Sequence, residues 1–217
     1  MIKLSSFKAI LGLFILFIIG MLVCRAVYTG SMFYFFLLWN LFLGWIPFQL
    51  SLLLVKIKSL KSWKAAAVLA AWLLFFPNAL YVITDLIHLE SKNSMPLWYD
   101  AMMIFTAAVA GLMMAFASLY KVENFLRLHI SSPAADTATA FCLFAGSFGV
   151  YVGRFLRWNS WDIITYPLEL FQEIAACFFS PVTHYRTWLI TFIFTCFFNL
   201  LYFTIKKLPG LMKEAGN

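Results

Sequence analysis

Six long apolar runs restrict what this chain can fold into. An α-helix needs about 20 mostly apolar residues to cross a bilayer, because hydrocarbon offers its backbone no hydrogen-bonding partners outside the segment itself. The runs predict spans at Phe7–Cys24, Phe33–Val55, Ala65–Thr84, Leu97–Leu119, Thr137–Gly153 and Thr187–Ile205. The sequence therefore predicts an all-α, polytopic integral membrane helix bundle.

The composition agrees with this class of protein. Of the 217 residues, 64% are hydrophobic and 12% are charged, whereas about 25% of the residues in a soluble domain are charged. The mean hydropathy is +0.89. No linker, repeat or shift in composition divides the runs, so we expect residues 1–217 to form a single transmembrane domain.

The charge balance is basic, with 16 Lys and Arg against 9 Asp and Glu. A nucleic-acid-binding protein gathers its basic residues on a solvated face, whereas here they separate apolar runs. We therefore expect the lipid bilayer, and no nucleic acid, as the partner. The four cysteines show no CxxC spacing, which argues against a disulfide or a thiolate metal site. The sequence names no cofactor and no oligomeric state.

The distribution of Lys and Arg predicts the orientation, because positive side chains are retained on the cytoplasmic side of a membrane. With the N-terminus inside, most of the 16 Lys and Arg fall on the inner connections, and most of the acids fall at the outer end. We expect both termini to be cytoplasmic.

One further helix is predicted between the fifth and sixth spans. Pro167 suits the first turn of a helix, and apolar residues from Leu168 to Phe178 recur at helical spacing. We predict an amphipathic helix over about 167–179 that lies in the outer interface. A short re-entrant or loop helix packed on the bundle fits the same pattern.

A polar stripe runs along the end of the third span. Its members are spaced by three, four and three residues, which places them on one face of a helix. They are Asn78, Tyr81, Asp85 and His88. Asp85 and His88, at i and i+3, can share a proton or a metal ion, or pair with each other. Because the sequence has no HExxH motif, we do not predict a metal site. A purely structural role fits Asn78 equally well, because its side chain can compensate for the helix kink at Pro77.

The fourth and fifth spans contribute polar residues at the same end. Asp100 suits the N-terminal turn of the fourth span because the helix dipole favours a negative charge there. Arg154 and Arg157 follow the fifth span, whose Gly149 and Gly153 predict close helix packing. Asn159 and Asp162 come next in the chain.

The two arginines can present planar forks to an anion, or only snorkel to the interface. We predict that Arg154 or Arg157 contacts one of three carboxylates, or else a bound phosphate or carboxylate. The three are Asp85, Asp100 and Asp162.

Three blocks of this sequence resemble one known family. The blocks are PNALYVITDLIHL (Pro77–Leu89), PLWYD (Pro96–Asp100) and GRFLRWNSWD (Gly153–Asp162). They resemble the bacterial membrane-protein family called domain of unknown function 1361. The resemblance implies a protein of the bacterial cytoplasmic membrane and carries no mechanism.

Three classes of function fit the polar end of the bundle. The first is an enzyme that acts at the outer leaflet on a lipid-linked or amphipathic anionic substrate, with Asp85, His88 and Asp100 as catalytic groups. The substrate-binding residues would be Asn78, Tyr81, Arg154, Arg157, Asn159 and Asp162. The second class is an accessory subunit with a closed salt-bridged cluster. The third, a transporter, needs deeper polar residues and more broken helices.

Overall fold

The computed structural model describes residues 4–57, 59–89 and 95–214, with side chains described as far as residue 210. Over these ranges the chain is helical and contains no strand. The α-helices are α1 (Leu4–Thr29), α2 (Phe36–Leu54), α3 (Trp63–Tyr81), α4 (Leu97–Arg127), α5 (Ser132–Phe155), α6 (Asp162–Thr165), α7 (Pro167–Phe179) and α8 (Tyr185–Glu214). Two 3-10 segments, Phe33–Phe35 and Val82–His88, precede α2 and continue α3.

Six stretches of the described chain are long and apolar enough to cross a membrane, which confirms the predicted number. They are Leu4–Thr29, Phe33–Leu54, Trp63–His88, Leu97–Arg127, Ser132–Phe155 and Tyr185–Gly210. All but the second extend beyond the predicted bounds at one or both ends. The difference arises because helical hydrogen bonding continues into polar end turns, where hydropathy no longer detects a span.

The bundle is built around α4. In its most apolar window 67% of the residues are buried, against 28% for α1, so α4 is central and α1 lies at the edge. Helix α4 packs against α1, α2, α3 and α5, and α8 packs against α5. Helix α3 lies between α2 and α5, so side chains from these three helices can meet.

Glycine brings α5 very close to α3. A Cβ atom at Gly149 would lie 2.4 Å from Cγ of Pro77, and a Cβ at Gly146 would lie 2.8 Å from Leu80. At Gly153 the nearest atom, on Tyr81, would be 3.5 Å away. The predicted close packing is therefore confirmed, and Gly149 is the tightest point.

Helix α7 has the bounds predicted for the amphipathic helix, Pro167–Phe179. It packs on the bundle through Phe178, whose ring centre lies 5.5 Å from Phe148 and 4.9 Å from Trp188. Trp188 Nε1 also donates a hydrogen bond to the carbonyl of Cys177 (3.0 Å). Its position in the membrane interface stays a prediction.

Replacing Gly149 with alanine should destabilise the bundle. The added methyl group would overlap the Pro77 ring and force α3 and α5 apart, at a cost of about 1–3 kcal/mol in the free energy of unfolding. Thermal unfolding of the purified protein in detergent would show this as a lowered Tm. Gly12→Ala is the matched control, because nothing lies within 4 Å of a Cβ at that position. Equal Tm values for the two variants would contradict the packing.

Candidate functional site

The polar stripe predicted on one helix is divided between two kinds of helix. Helix α3 ends at Tyr81, and Asp85 and His88 lie on the 3-10 segment Val82–His88. A 3-10 helix has 3.0 residues per turn, so residues three apart eclipse each other. This tighter winding places Asp85 and His88, which are three residues apart, on one side of the segment.

Arg154, in the last turn of α5, reaches across to this segment and to Tyr81. Its Nε donates to Thr84 Oγ1 (2.8 Å), Nη1 lies 2.9 Å from His88 Nε2, and Nη2 donates to Asp85 Oδ1. The guanidinium carbon is 4.1 Å from the centre of the Tyr81 ring, a cation–π contact. All three nitrogens are engaged, and the predicted contact between one of the arginines and Asp85 is confirmed.

Asp85 has no exposed surface, so its charge depends on partners within the protein. Its second oxygen, Oδ2, accepts a hydrogen bond from Nδ2 of Asn40 on α2 (2.8 Å). A guanidinium can only donate, so His88 Nε2 is the acceptor in its contact with Arg154. We call these residues, from three helices, the Arg154 cluster: Asn40, Tyr81, Thr84, Asp85, His88 and Arg154.

Asp100 was expected beside Asp85 and His88, but it is held by a different arginine. Arg25 of α1 donates from Nε to Oδ1 (2.7 Å) and from Nη2 to Oδ2 (3.2 Å) of Asp100. The side chains of Arg25 and Asp100 are only 2% and 1% exposed. This two-pronged pair ties α1 to α4, and it leaves the Asp100 carboxylate without access to a substrate.

Tyr34 connects this ion pair to the Arg154 cluster. The guanidinium carbon of Arg25 lies 4.4 Å from the centre of the Tyr34 ring, and the Tyr34 hydroxyl donates to the carbonyl of His88 (2.8 Å). Tyr34 itself is buried. The two ion pairs are therefore neighbours in one polar layer, although their carboxylates do not share a site.

Asp162 organises its own loop and binds no arginine in the described structure. Its Oδ2 accepts from the backbone N–H of Asn159 (2.6 Å) and from the Asn159 side chain (3.2 Å). Its Oδ1 accepts from Thr165 Oγ1 (3.1 Å). The carboxylate thus fixes the connection from α5 to α6, and this local role accounts for its burial.

Arg157 is exposed and has a left-handed backbone, with φ of 63°. The next residue, Trp158, donates its N–H to the carbonyl of Val152 (3.2 Å) and so closes the end of α5. The turn folds the chain back over α3, where Ser160 accepts a hydrogen bond from Asn78 (2.8 Å). Arg157 takes part in none of the ion pairs formed among the described side chains.

A groove of about 310 Å³ lies below this turn, between α2 and α5 and with α3 as its floor. The polar side chains that line it are uncharged: Asn40, Asn78, Tyr81, Asn159 and Ser160, together with the indoles of Trp39 and Trp158. The remaining lining is apolar and comes from α2, α3, α5, α6 and α7. Asn40 and Tyr81 belong both to the groove and to the Arg154 cluster.

The predicted site residues therefore separate into three sets. Asn78, Tyr81 and Asn159 line the groove. Asp85, His88 and Arg154 lie behind it, and Asp100, Arg157 and Asp162 do not line it. In the described part of the chain, no three His, Cys, Asp or Glu side chains converge as a metal site would require.

Several residues of the Arg154 cluster and of the ion pair with Asp100 were not predicted, among them Asn40, Thr84 and Arg25. Asn40 had a detectable signal, because an amide within an apolar span needs a polar partner. Arg25 had one as well, since an arginine at the predicted outer end of a span runs against the positive-inside rule. Thr84 had none, because a threonine near a helix end is common.

The model of the family described as "Protein of unknown function (DUF1361)" matches residues 39–201 of the chain. This protein belongs to the DUF1361 family. The matched region contains the whole groove and the whole Arg154 cluster, whereas Arg25 and Tyr34 lie outside it. No curated protein and no solved structure matches the chain.

In this DUF1361 protein, Arg154→Lys should lower the free energy of unfolding by roughly 2 kcal/mol. A lysine keeps one charge for Asp85 but loses the fork that also holds Thr84 and His88, and breaking a buried pair completely costs about 3–5 kcal/mol. Chemical unfolding in detergent measures the change. Arg186→Lys is the control, since Arg186 is exposed and both its hydrogen bond and its cation–π contact in the described structure are with the neighbouring Tyr185. If both variants unfold like the wild type, the cluster does not hold the helices together.

Proposed function

We propose that this protein is a multi-pass protein of the bacterial cytoplasmic membrane that binds an amphipathic, lipid-like substrate at the outer leaflet. The groove is the proposed binding site, and one observation carries the proposal. The groove combines apolar walls with a few uncharged hydrogen-bonding side chains, and it shares Asn40 and Tyr81 with a rigid ion-paired cluster. A cavity of this size and lining is typical of small-molecule sites.

The position of the groove favours a ligand with a hydrocarbon chain. Helices α2 and α5 pack on either side of α3, so the gap between them opens away from the centre of the bundle, towards lipid. Trp39 at its edge is 54% exposed, and its ring centre is 6.4 Å from that of Trp161. A chain can enter between α2 and α5, while its polar head meets Asn78 and Asn159.

We assign the contact with an anionic group to Arg157 and not to Arg154. The guanidinium of Arg154 is already engaged on all three nitrogens, whereas Arg157 is exposed beside the roof of the groove. A left-handed backbone costs a non-glycine residue about 1–2 kcal/mol. A glycine would avoid this cost, so we infer that the arginine side chain makes a favourable contact that offsets the strain.

In the enzymatic form of the proposal, Tyr81 is the group that transfers a proton. Among the described residues that line the groove, Tyr81 is the titratable one, and a tyrosine hydroxyl can act as a general acid or base. Asp85 and His88 were predicted in this role, but neither lines the groove. We therefore assign them to positioning, because they hold Arg154 over the Tyr81 ring.

A second candidate function is an accessory subunit, and the closed Arg154 cluster favours it. Asp85 has no exposed surface, and Asn40 and Arg154 hydrogen-bond to its two oxygens. Such a cluster stabilises a bundle whether or not a ligand binds. The two functions differ in whether the groove takes up a lipid.

The orientation that places the groove at the outer leaflet can be checked directly. Most Lys and Arg lie at the end of the bundle opposite the groove, so a reporter that works only in the cytoplasm should be active when it is fused after residue 217. A reporter that works only after export should be active when it is inserted after Leu89. The reverse result would move the groove to the inner leaflet.

Filling the groove should abolish lipid binding without unfolding the protein. Leu43→Trp places an indole in the groove, and we expect it to lower by about tenfold the amount of lipid that stays bound after detergent extraction, as measured by mass spectrometry. Leu53→Trp makes the same change at a position on α2 that is 49% exposed and does not line the groove, so it should have no effect. Equal lipid retention in both variants would favour the accessory subunit.

The same assay tests Arg157. Arg157→Gly should keep or slightly raise Tm, because glycine adopts a positive φ without strain, and it should selectively lower the retention of anionic lipids. A fall in Tm with unchanged retention would show that the arginine is structural.

A further inference from the structure

A second cavity, of about 470 Å³, lies at the opposite end of the bundle, where α2 and α4 finish. It belongs neither to the groove nor to the Arg154 cluster. The residues that line it are Val55, Ile57, Tyr120, Lys121, Asn124, Phe125, Leu128 and His129. The cavity thus has one lysine and one histidine among apolar side chains, a tyrosine and an asparagine.

The acids described at this end of the bundle pair with other residues and do not line the cavity. Glu123, which is 1% exposed, accepts hydrogen bonds from Tyr202 (2.5 Å), Arg127 (2.7 Å) and Lys206. Asp136 pairs with Arg127. These contacts bind α4, α5 and α8 together and neutralise Arg127 and Lys206.

Lys121 remains outside this network, although it lies on the same helix as Glu123 and Arg127. No ion pair among the described side chains includes it. Lys56 is exposed and lies between Val55 and Ile57, which both line the cavity. Lys121 in the lining and Lys56 beside it therefore place positive charge at a cavity that has no acid among its described lining residues.

The rim of the cavity is apolar and strongly exposed. Leu128 is 81% exposed, Val55 56% and Tyr120 41%. In water such a rim would be unfavourable, but at the boundary between headgroups and acyl chains it contacts lipid while the lysine reaches the headgroup. A soluble anion would use the positive charge and leave the rim uncovered.

We propose that this cavity is a binding site for the phosphate-bearing headgroup of an anionic membrane lipid, with Lys121 as the principal anion-binding side chain. Basic pockets between transmembrane helices are suited to such headgroups, since each lysine near the surface favours an anionic lipid about fivefold. Tyr120 and Asn124 supply a hydroxyl and an amide that can donate to phosphate oxygens. The site is independent of the groove and of the function proposed for it.

Native mass spectrometry can test the site on the full chain. The protein is extracted from vesicles of phosphatidylethanolamine and phosphatidylglycerol, and the phosphatidylglycerol that stays bound is counted. Lys121→Gln should lower this retention about fivefold, and Lys121→Arg should restore it. Lys64→Gln removes an exposed charge at the same end and away from the cavity, so it should retain lipid like the wild type. Equal losses in Lys121→Gln and Lys64→Gln would mean that general surface charge, and not this cavity, holds the lipid.

A second experiment distinguishes a bound lipid from a bound soluble phosphate. Inorganic phosphate at millimolar concentration should leave the bound phosphatidylglycerol in place, because it cannot cover the apolar rim. Complete displacement by phosphate alone, or no retention of phosphatidylglycerol by the wild type, would overturn the proposal. The Tm of each variant is recorded in parallel, and a Lys121→Gln protein with reduced phosphatidylglycerol retention but an unchanged Tm excludes misfolding as the cause.

Discussion

A charge between transmembrane helices is stable only when other groups of the protein replace its water shell, and the burial of Asp85 imposes this condition on the end of the bundle that holds the groove. Arg154 from α5 and Asn40 from α2 meet the carboxylate from two sides. To do so, α5 has to approach α3 closely, which Gly149 permits against Pro77. The groove exists because α2 and α5 are both held to α3 at this level but are not packed together along their length.

The same condition recurs at two other places in the structure. Asp100 is neutralised by Arg25, which brings the peripheral helix α1 to the central helix α4. Glu123 is neutralised by Arg127 and Lys206, which ties α4 to α8. Each of these three acids, Asp85, Asp100 and Glu123, thus connects helices that are distant in the sequence. Since hydrophobic attraction between helices is weak in lipid, such contacts specify which helices become neighbours.

The separation of these ion pairs from the groove bears on function. The groove is lined by uncharged groups, while the charges behind it are paired with one another. A ligand in the groove therefore meets fixed hydrogen-bonding side chains without having to break an ion pair. Arg157 at the roof and Lys121 at the other end differ from the buried cations, because no acid among the described residues neutralises them.

Much of this protein follows from its sequence alone. The six spans, the bounds of α7 and the contact between Arg154 and Asp85 are local consequences of apolar run length, helical periodicity and the cost of an unpaired charge in a membrane. The partner of Asp100 was not predictable, because Arg25 is 75 residues away and two acids and two arginines can be paired in more than one way. The groove was not predictable either, since it depends on how far apart α2 and α5 lie on α3. Only the tertiary structure decides such distances, because they result from the packing of side chains on several helices at once and leave no periodic pattern in the chain.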